Sequence, residues 1–353
     1  MNESSTDNTI KNILIVFLLV LIFYLMKVLG AILIPLLLAL LSAIFFQPFI
    51  SFLRRIRTPQ WLILPLITIF SLFIFFIFYQ IIGEMYIQIL DEKDFLIQQF
   101  ELKLRPAIEW LSSFMGINLI EDYSIKSFLF SLDKDLISNT AGGLVNAVGS
   151  FTGSFIMFIL YYIVFLAGMS KYKRYLNYVS GENDSSDLLI NYEQVQRAIF
   201  NYIMMKTIVS IITGFLVFLI CYIFGVNFAL FWGFLAFALN YIPSIGSIAA
   251  TIPPVAMAFI QFDSLKTVIL VLLFISLLQF TIGSVLEPKI MGNRLRLNTL
   301  TVIFGLVFWG FMWGVPGMII SIPILVLLKL IFEQIPSLKI IARIMGSPPK
   351  QLI

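Results

Sequence analysis

Asn240, Tyr241, Ser244 and Ser247 place an amide, a phenol and two hydroxyls within eight residues that also contain Pro243 and Gly246. They interrupt an otherwise apolar run from Phe228 to Ile260. Such groups can hydrogen-bond a polar solute or coordinate a cation. In lipid, irregular backbone survives only where protein or a water-filled cavity covers its N–H and C=O groups. A second apolar run, Thr299 to Leu328, is interrupted at Trp313-Gly-Val-Pro-Gly317, with Trp309 one turn earlier. Paired broken segments point to a transporter's binding site. Asn240, Tyr241, Pro243, Ser244, Gly246, Ser247, Trp309, Trp313, Gly314 and Gly317 are therefore candidates for solute contact or gating. Two plainer roles stay open: the polar residues could cap two half-helices, and the tryptophans could be interfacial anchors.

Ionisable chemistry is concentrated in Glu287-Pro-Lys289 and Met291-Gly-Asn-Arg294. A carboxyl at membrane depth is a functional hypothesis by default, with Lys289 or Arg294 as the expected partner of Glu287. Its protonation in each cycle could couple transport to a proton gradient; an ion pair anchoring a helix end at the interface is the alternative. Upstream, Gln279, Thr281 and Ser284 are polar positions in an apolar segment, and Gln279 is a candidate for lining a solute path. Helix packing accounts for each of them equally simply. Thr251, Pro253 and Pro254 read as helix-end geometry.

The elements that carry these residues follow from composition. The 353 residues are 60% hydrophobic and 12% charged, with 36 Phe and a mean hydropathy of +1.01. Several apolar runs exceed the roughly 18 residues that mark a spanning helix. Histidine is absent and Cys221 is the single cysteine, so zinc sites, Ser-His-Asp triads, Cys-His dyads and intrachain disulfides are excluded. No P-loop or hydrolase elbow is present, so no enzymatic activity, cofactor or metal is expected. The net charge of +4 sits mostly in short loops, where it sets topology and is no footprint for nucleic acid. Glu3 and Asp7 stand where a cleavable signal would be basic, so the first apolar run is expected to stay as an anchor.

The expected fold is all-α: a polytopic membrane protein with about six full spans, two re-entrant helical hairpins and an extracytoplasmic amphipathic helical segment. The spans are 13–26, 28–53, 61–82, 150–169, 207–224 and 267–286. Pro35 and Pro48 are expected to kink or end helix within the second. Arg54, Arg55 and Arg57 mark a cytoplasmic loop. From Glu84 to Asp135 ten acidic residues face five basic ones, an extracytoplasmic composition. Leu96, Phe100, Leu104, Ile108 and Leu111 form one helical face there, and Ile125, Leu129, Leu132 and Leu136 another. Gly149-Ser-Phe-Thr-Gly153 permits close helix approach. Lys171, Lys173 and Arg174 follow the fourth span on the cytoplasmic side, Gly181 to Asp187 is a polar loop, and 192–206 is a partly polar helix before the fifth span.

Loop charge then decides the course of the broken segments. Glu287, Lys289, Arg294 and Arg296 leave a net +2 after the sixth span, a cytoplasmic loop, so Phe228 to Ile260 must begin and end outside. Each arm is about 15 residues, or about 22 Å, too short for a crossing. The net +3 of Lys329, Lys339, Arg343 and Lys350 against Glu333 requires Thr299 to Leu328 to return to the inside. A single long tilted span is the alternative there. The sections are therefore 1–83, N-terminal transmembrane helices; 84–149, the extracytoplasmic segment; 150–206, the fourth span and a cytoplasmic polar segment; 207–330, the transport core; and 331–353, a cytoplasmic tail.

Three blocks, Asn240 to Pro254, Glu287 to Arg294 and Phe308 to Met318, resemble in order and spacing the autoinducer-2 exporter family of bacterial membrane proteins, and the remaining layout is compatible over nearly the full length. The motif matches are Asn240, Pro243, Gly246, Glu287, Pro288, Lys289, Gly292, Asn293, Arg294, Trp309, Gly314 and Gly317. Arg296 departs from the small residue, usually Gly, expected there. The resemblance implies a multi-pass transporter of the bacterial cytoplasmic membrane, with both termini cytoplasmic under the charge rule. It implies a homo-oligomer, with pentamers as one form, and a family in which some members export autoinducer-2, without choosing the substrate; export of a small polar solute by alternating access is the leading reading. Sodium(lithium)/proton antiport is the alternative the family also offers. A non-transporting scaffold, using the acidic outer segment to hold a partner, is the third reading.

Overall fold

The computed structural model describes residues 3–92, 95, 98–99, 102–103, 105–106, 113, 153–168, 193–243, 245–291 and 297–346. Regular structure among them is helical, apart from an isolated bridge between Leu297 and Gly346. The helices are α1 (Glu3–Val28), α2 (Gly30–Arg55), α3 (Gln60–Asp91), α4 (Gly153–Gly168), α5 (Glu193–Phe224), α6 (Ala229–Leu239), α7 (Ile245–Gln261), α8 (Leu265–Thr281), α9 (Glu287–Met291), α10 (Thr299–Gln334) and α11 (Lys339–Met345).

Six helical stretches are long and apolar enough to cross a bilayer: Ile10–Val28, Gly30–Arg55, Trp61–Met85, Glu193–Phe224, Leu265–Ile290 and Thr299–Gln334. An apolar chain in lipid must satisfy its backbone within the segment, which is why these runs are helices. Five coincide with expected spans. The expected span at 150–169 overlaps an apolar helix, α4, whose described part of 16 residues is shorter than the spanning helices. The last of the six, α10, does not run straight.

Several local expectations change. Pro35 and Pro48 lie inside a continuous α2, and Pro253 and Pro254 inside α7, so none of them ends a helix. The partly polar helix expected to lead into the fifth span does so: from Glu193 it is continuous with that span in α5. The sixth span does not stop at Glu287: a π-helical stretch, Ile282–Leu286, carries α8 into α9. The amphipathic faces at 96–111 and 125–136, the Gly149-to-Gly153 motif apart from Gly153, Lys171, Lys173, Arg174, the Gly181-to-Asp187 loop, Ser244 and Arg294 lie outside the residues described here.

The chain divides into two compact units. The first takes Met1–Leu64, Gly153–Tyr202 and Asn293–Ile353. Its core joins Trp309, Met312, Trp313 and Ile320 of α10 to Met26 of α1 and Leu33, Ile34 and Leu37 of α2. Gly30 admits the Trp313 ring, since a methyl group there would stand 3.1 Å from Cδ1. The Trp313 indole N–H donates to the Met26 carbonyl at 3.0 Å. At the start of α10 the Asn298 side chain accepts from the Thr301 N–H at 2.6 Å and donates to the Ile344 carbonyl at 2.5 Å. One residue thus caps α10 and holds the end of α11.

The second unit takes Pro65–Thr152 and Ile203–Gly292. Its core is built from Val217 and Cys221 of α5, Trp232 and Ala236 of α6, Ala250 and Met257 of α7, and Val271 and Ile275 of α8. Gly214 and Gly233 bring α5 and α6 into backbone contact: a methyl group on either would stand 2.7 Å from the other's carbonyl oxygen. Small residues at such crossings are the usual solution in membranes, where packing replaces the hydrophobic effect.

Candidate functional site

Between α6 and α7 the chain reverses. The start of α6 lies beside the end of α7, because the Asn227 N–H donates to Gln261 Oε1 at 2.8 Å and Gln261 Nε2 donates to the Gly225 carbonyl at 2.7 Å. Asn227 also donates through Nδ2 to Glu92 Oε2 at 3.1 Å, and its carbonyl accepts from the Trp232 indole at 2.8 Å. The closed base holds Phe228 in a left-handed conformation, φ 62°, which is rare for so bulky a residue.

At the tip the turn runs through Asn240, Tyr241, Ile242 and Pro243. The N–H groups of Asn240, Tyr241, Ile242, Ile245 and Gly246 all find carbonyls within this hairpin, on Ala236, Ala238, Leu239, Pro243 and Ile242 respectively. The break is therefore largely self-satisfied in its backbone. What it offers a solute is side chains. Gly246 is required by close approach, since a methyl group there would stand 1.8 Å from the Leu239 carbonyl oxygen.

Those side chains meet a polar face of α5. Tyr241 Oη and Thr207 Oγ1 are 2.7 Å apart. Asn240 Nδ2 donates to Ser210 Oγ at 2.9 Å, with Asn240 and Ser210 both buried. Thr213, one turn further, is also buried and donates to the Val209 carbonyl at 2.8 Å. Thr207, Ser210 and Thr213 recur at spacings of three, which keeps them near one helical face.

Next to Thr207 comes Lys206, only 1% exposed, whose Nζ donates to Glu287 Oε1 at 2.5 Å. Among the described residues the partner of Glu287 is therefore Lys206, while Arg294, one of the two expected partners, lies outside them. The carboxylate lies in helix rather than a loop, and its cation comes from α5. Lys289 is exposed. Ion pairs taken from water are retained where each charge is matched, and this pair neutralises the one carboxylate that the described residues bring to the polar face.

Of the remaining candidates in this unit, Ser247 is half-buried and its carbonyl accepts from Thr251 Oγ1 at 2.9 Å. Gln279 is buried in α8, and neither atom of its amide has a hydrogen-bond partner among the described residues. A buried amide without partners is unusual and asks for a water or another polar group beside it.

Trp309, Trp313, Gly314 and Gly317 belong to the first unit. Gly314 has φ 65° and ψ −146°, a region essentially reserved for glycine, and it separates two helices within α10. Gly305 packs on Leu325, a methyl group there standing 2.4 Å from Leu325 Cδ1. In a continuous helix these residues would be about 30 Å apart. The chain therefore doubles back at Gly314, which rules out one straight tilted span. Gly317 repeats the device of Gly246, since a methyl group there would stand 2.0 Å from the Trp309 carbonyl oxygen. Trp309 and Trp313 are buried against each other, ring centroids 4.9 Å apart, and form core rather than an interfacial belt.

A helical chain with six apolar helices of spanning length, two broken hairpins and a buried polar seam is a multi-pass membrane transporter. It belongs to the family described as AI-2E family transporter, which matches residues 12–337. Among its relatives is the AI-2 transport protein TqsA of Escherichia coli strain K12, 44% identical over 143 residues, 40% of this chain and 41% of that one. A transport protein of Haemophilus influenzae, named only by that putative role, is 28% identical over 86% of this chain and 87% of its own length. The protein YhhT of Escherichia coli strain K12, so named as well, is 36% identical over 39% of each chain.

Proposed function

We propose that this transporter exports a small, uncharged, polar solute by alternating access, with the α6–α7 hairpin as the moving gate over the polar face of α5. The observation that carries the proposal is the meeting of Thr207 and Ser210 with Tyr241 and Asn240 at a hairpin tip. Hydroxyls, a phenol and an amide both donate and accept, as recognition of a hydroxylated solute requires. About 21 Å of helix separates Ser210 from Phe224 at the outer end of α5, so the tip reaches past the middle of a hydrocarbon core about 30 Å thick.

In this reading both hairpins are re-entrant, α6–α7 from the extracytoplasmic side and α10 from the cytoplasmic side. Both termini are cytoplasmic, the membrane is the bacterial cytoplasmic membrane, and the chain works as a homo-oligomer, a pentamer by family resemblance. The relative named as an AI-2 transport protein makes autoinducer-2, a hydroxylated furanone, the first solute to try. A proton or sodium gradient is the energy source consistent with a chain that has no P-loop. Antiport of sodium or lithium against protons is less well supported, because Lys206 neutralises Glu287, the carboxylate that the described residues bring to the hairpin tip. Purified protein in vesicles, offered autoinducer-2, sugars, polyols and sodium in turn, tests this. Saturable movement of a neutral solute that Asn240→Leu abolishes is the expected result, and wild-type vesicles that move none of the neutral solutes would defeat the reading.

A further inference from the structure

The α6–α7 hairpin joins the rest of its unit through two short connections, 225–228 before α6 and 262–264 after α7. Each is held by a side chain that follows α3 in the chain. α3 leads there because it runs along α6. Phe78 packs on Phe234 and Phe237, ring centroids 5.0 and 5.9 Å apart, and Met85 packs against the core that contains Trp232 and Ala236. Phe78, Met85 and Glu92 recur every seven residues, close to two turns, which keeps them on one side of a helix.

At the end of that stripe the Glu92 N–H donates to the Gln88 carbonyl at 3.0 Å, so α3 sets the position of Glu92, and its carboxylate accepts from Asn227 Nδ2 at 3.1 Å. This holds the connection before α6. Lys103 Nζ donates to the Phe262 carbonyl and stands 3.0 Å from Asp263 Oδ1. This holds the connection after α7. The Lys103 side chain is 16% exposed and that of Asp263 98%. An ion pair to so exposed a carboxylate is screened and contributes little. The bond to the Phe262 carbonyl is the stronger hold, because it is charge-assisted and lies at the C-terminal end of α7, where the helix dipole favours a cation.

Inside the base, Gln261 already ties the two connections to each other through Asn227 and Gly225. The base is thus fixed from within and from without, whereas the tip meets α5 through the side chains of Tyr241 and Asn240. We infer that Glu92 and Lys103 are positioning residues for transport: they fix both connections of the hairpin, so that its base stays closed while its tip engages and releases α5. The inference rests on the reading of this hairpin as the gate.

The test uses the full chain, in lipid nanodiscs and in sealed vesicles. Hydrogen exchange is followed at the amides of Val226, Asn227 and Phe262, which are bonded at the base, with amides 271–275 of α8 as reference. Lys103→Met and Glu92→Leu are each expected to speed exchange at the base by about tenfold, the worth of one charge-assisted hydrogen bond, and to leave the reference within about twofold. Lys103→Arg keeps a charged donor and should restore protection. Lys266→Met removes an exposed cation from the first turn of α8 and should leave the base within about twofold of wild type. In vesicles, the maximal flux of the neutral solute that wild type carries, autoinducer-2 being tried first, should fall by about tenfold in Lys103→Met and return in Lys103→Arg. Base exchange unchanged in both Lys103→Met and Glu92→Leu, equal acceleration at base and reference, or undiminished flux through a loosened base overturns the inference. Wild-type vesicles that carry no neutral solute defeat the gate reading instead, and the exchange rates still decide whether Glu92 and Lys103 hold the base.

Discussion

Lys206 Nζ and Glu287 Oε1 lie 2.5 Å apart, joining α5 to α9 across 81 positions of sequence. Lys206 is almost wholly buried and the Glu287 side chain is 20% exposed. Removing one member leaves the other charge buried and unmatched, whereas replacing both removes the problem along with the bond. Lys206→Met and Glu287→Leu should each lower stability by about 3 kcal/mol, with the double variant much closer to wild type. Thermal unfolding of the four proteins in one detergent measures the coupling. Additive losses would show that the two side chains do not act as a pair.

The two hairpin glycines sit against carbonyl oxygens and not against flexible side chains. Gly246→Ala and Gly317→Ala therefore force backbone to move, and each is expected to destabilise by about 3 kcal/mol or more, the upper end of overpacking. Gly83→Ala in α3 meets nothing within 4 Å and is the control, expected to be neutral or stabilising by up to about 1 kcal/mol. Melting temperatures of the three variants decide the matter.

Gly314 is a different case, because a methyl group there would touch nothing within 4 Å. Its φ of 65° with ψ of −146° alone penalises a side chain, so Gly314→Ala should cost about 1–3 kcal/mol through backbone strain. Gly314→Val should behave no better. A stability equal to wild type would mean that the chain does not reverse at this residue.

The hydroxyl contacts at the tip separate function from stability. Tyr241→Phe and Thr207→Val each remove one partner of a 2.7 Å contact, and single polar contacts in membrane proteins are worth about 0.6 kcal/mol on average. Both variants should melt close to wild type while solute flux falls by about tenfold, if these groups touch the solute. Flux that follows stability instead would reduce them to packing.

Much of this was legible in the sequence, for reasons of locality. Pro243, Gly246, Gly314 and Pro316 act on their own backbone, so the two breaks could be read without any partner. Asn227 with Gln261 and Lys206 with Glu287 could not be found that way, because each pair is made by packing across tens of residues. Lys206 did carry a signal: it stands between Met205 and the apolar stretch from Ile208, and an ionisable residue beside a span asks for a partner. The tandem prolines misled in the other direction, because Pro253 and Pro254 are carried within α7. A helix packed on neighbours, as α7 is on α6 and α8, can absorb the lost hydrogen bonds.

The most direct test is flux through the purified protein in sealed vesicles, comparing wild type, Asn240→Leu and Glu287→Gln with autoinducer-2 and with sodium. A saturable flux of the neutral solute, reduced by about tenfold or more in Asn240→Leu, is the expected result. Sodium-dependent proton movement that Glu287→Gln abolishes, with no neutral flux in wild type, would contradict it.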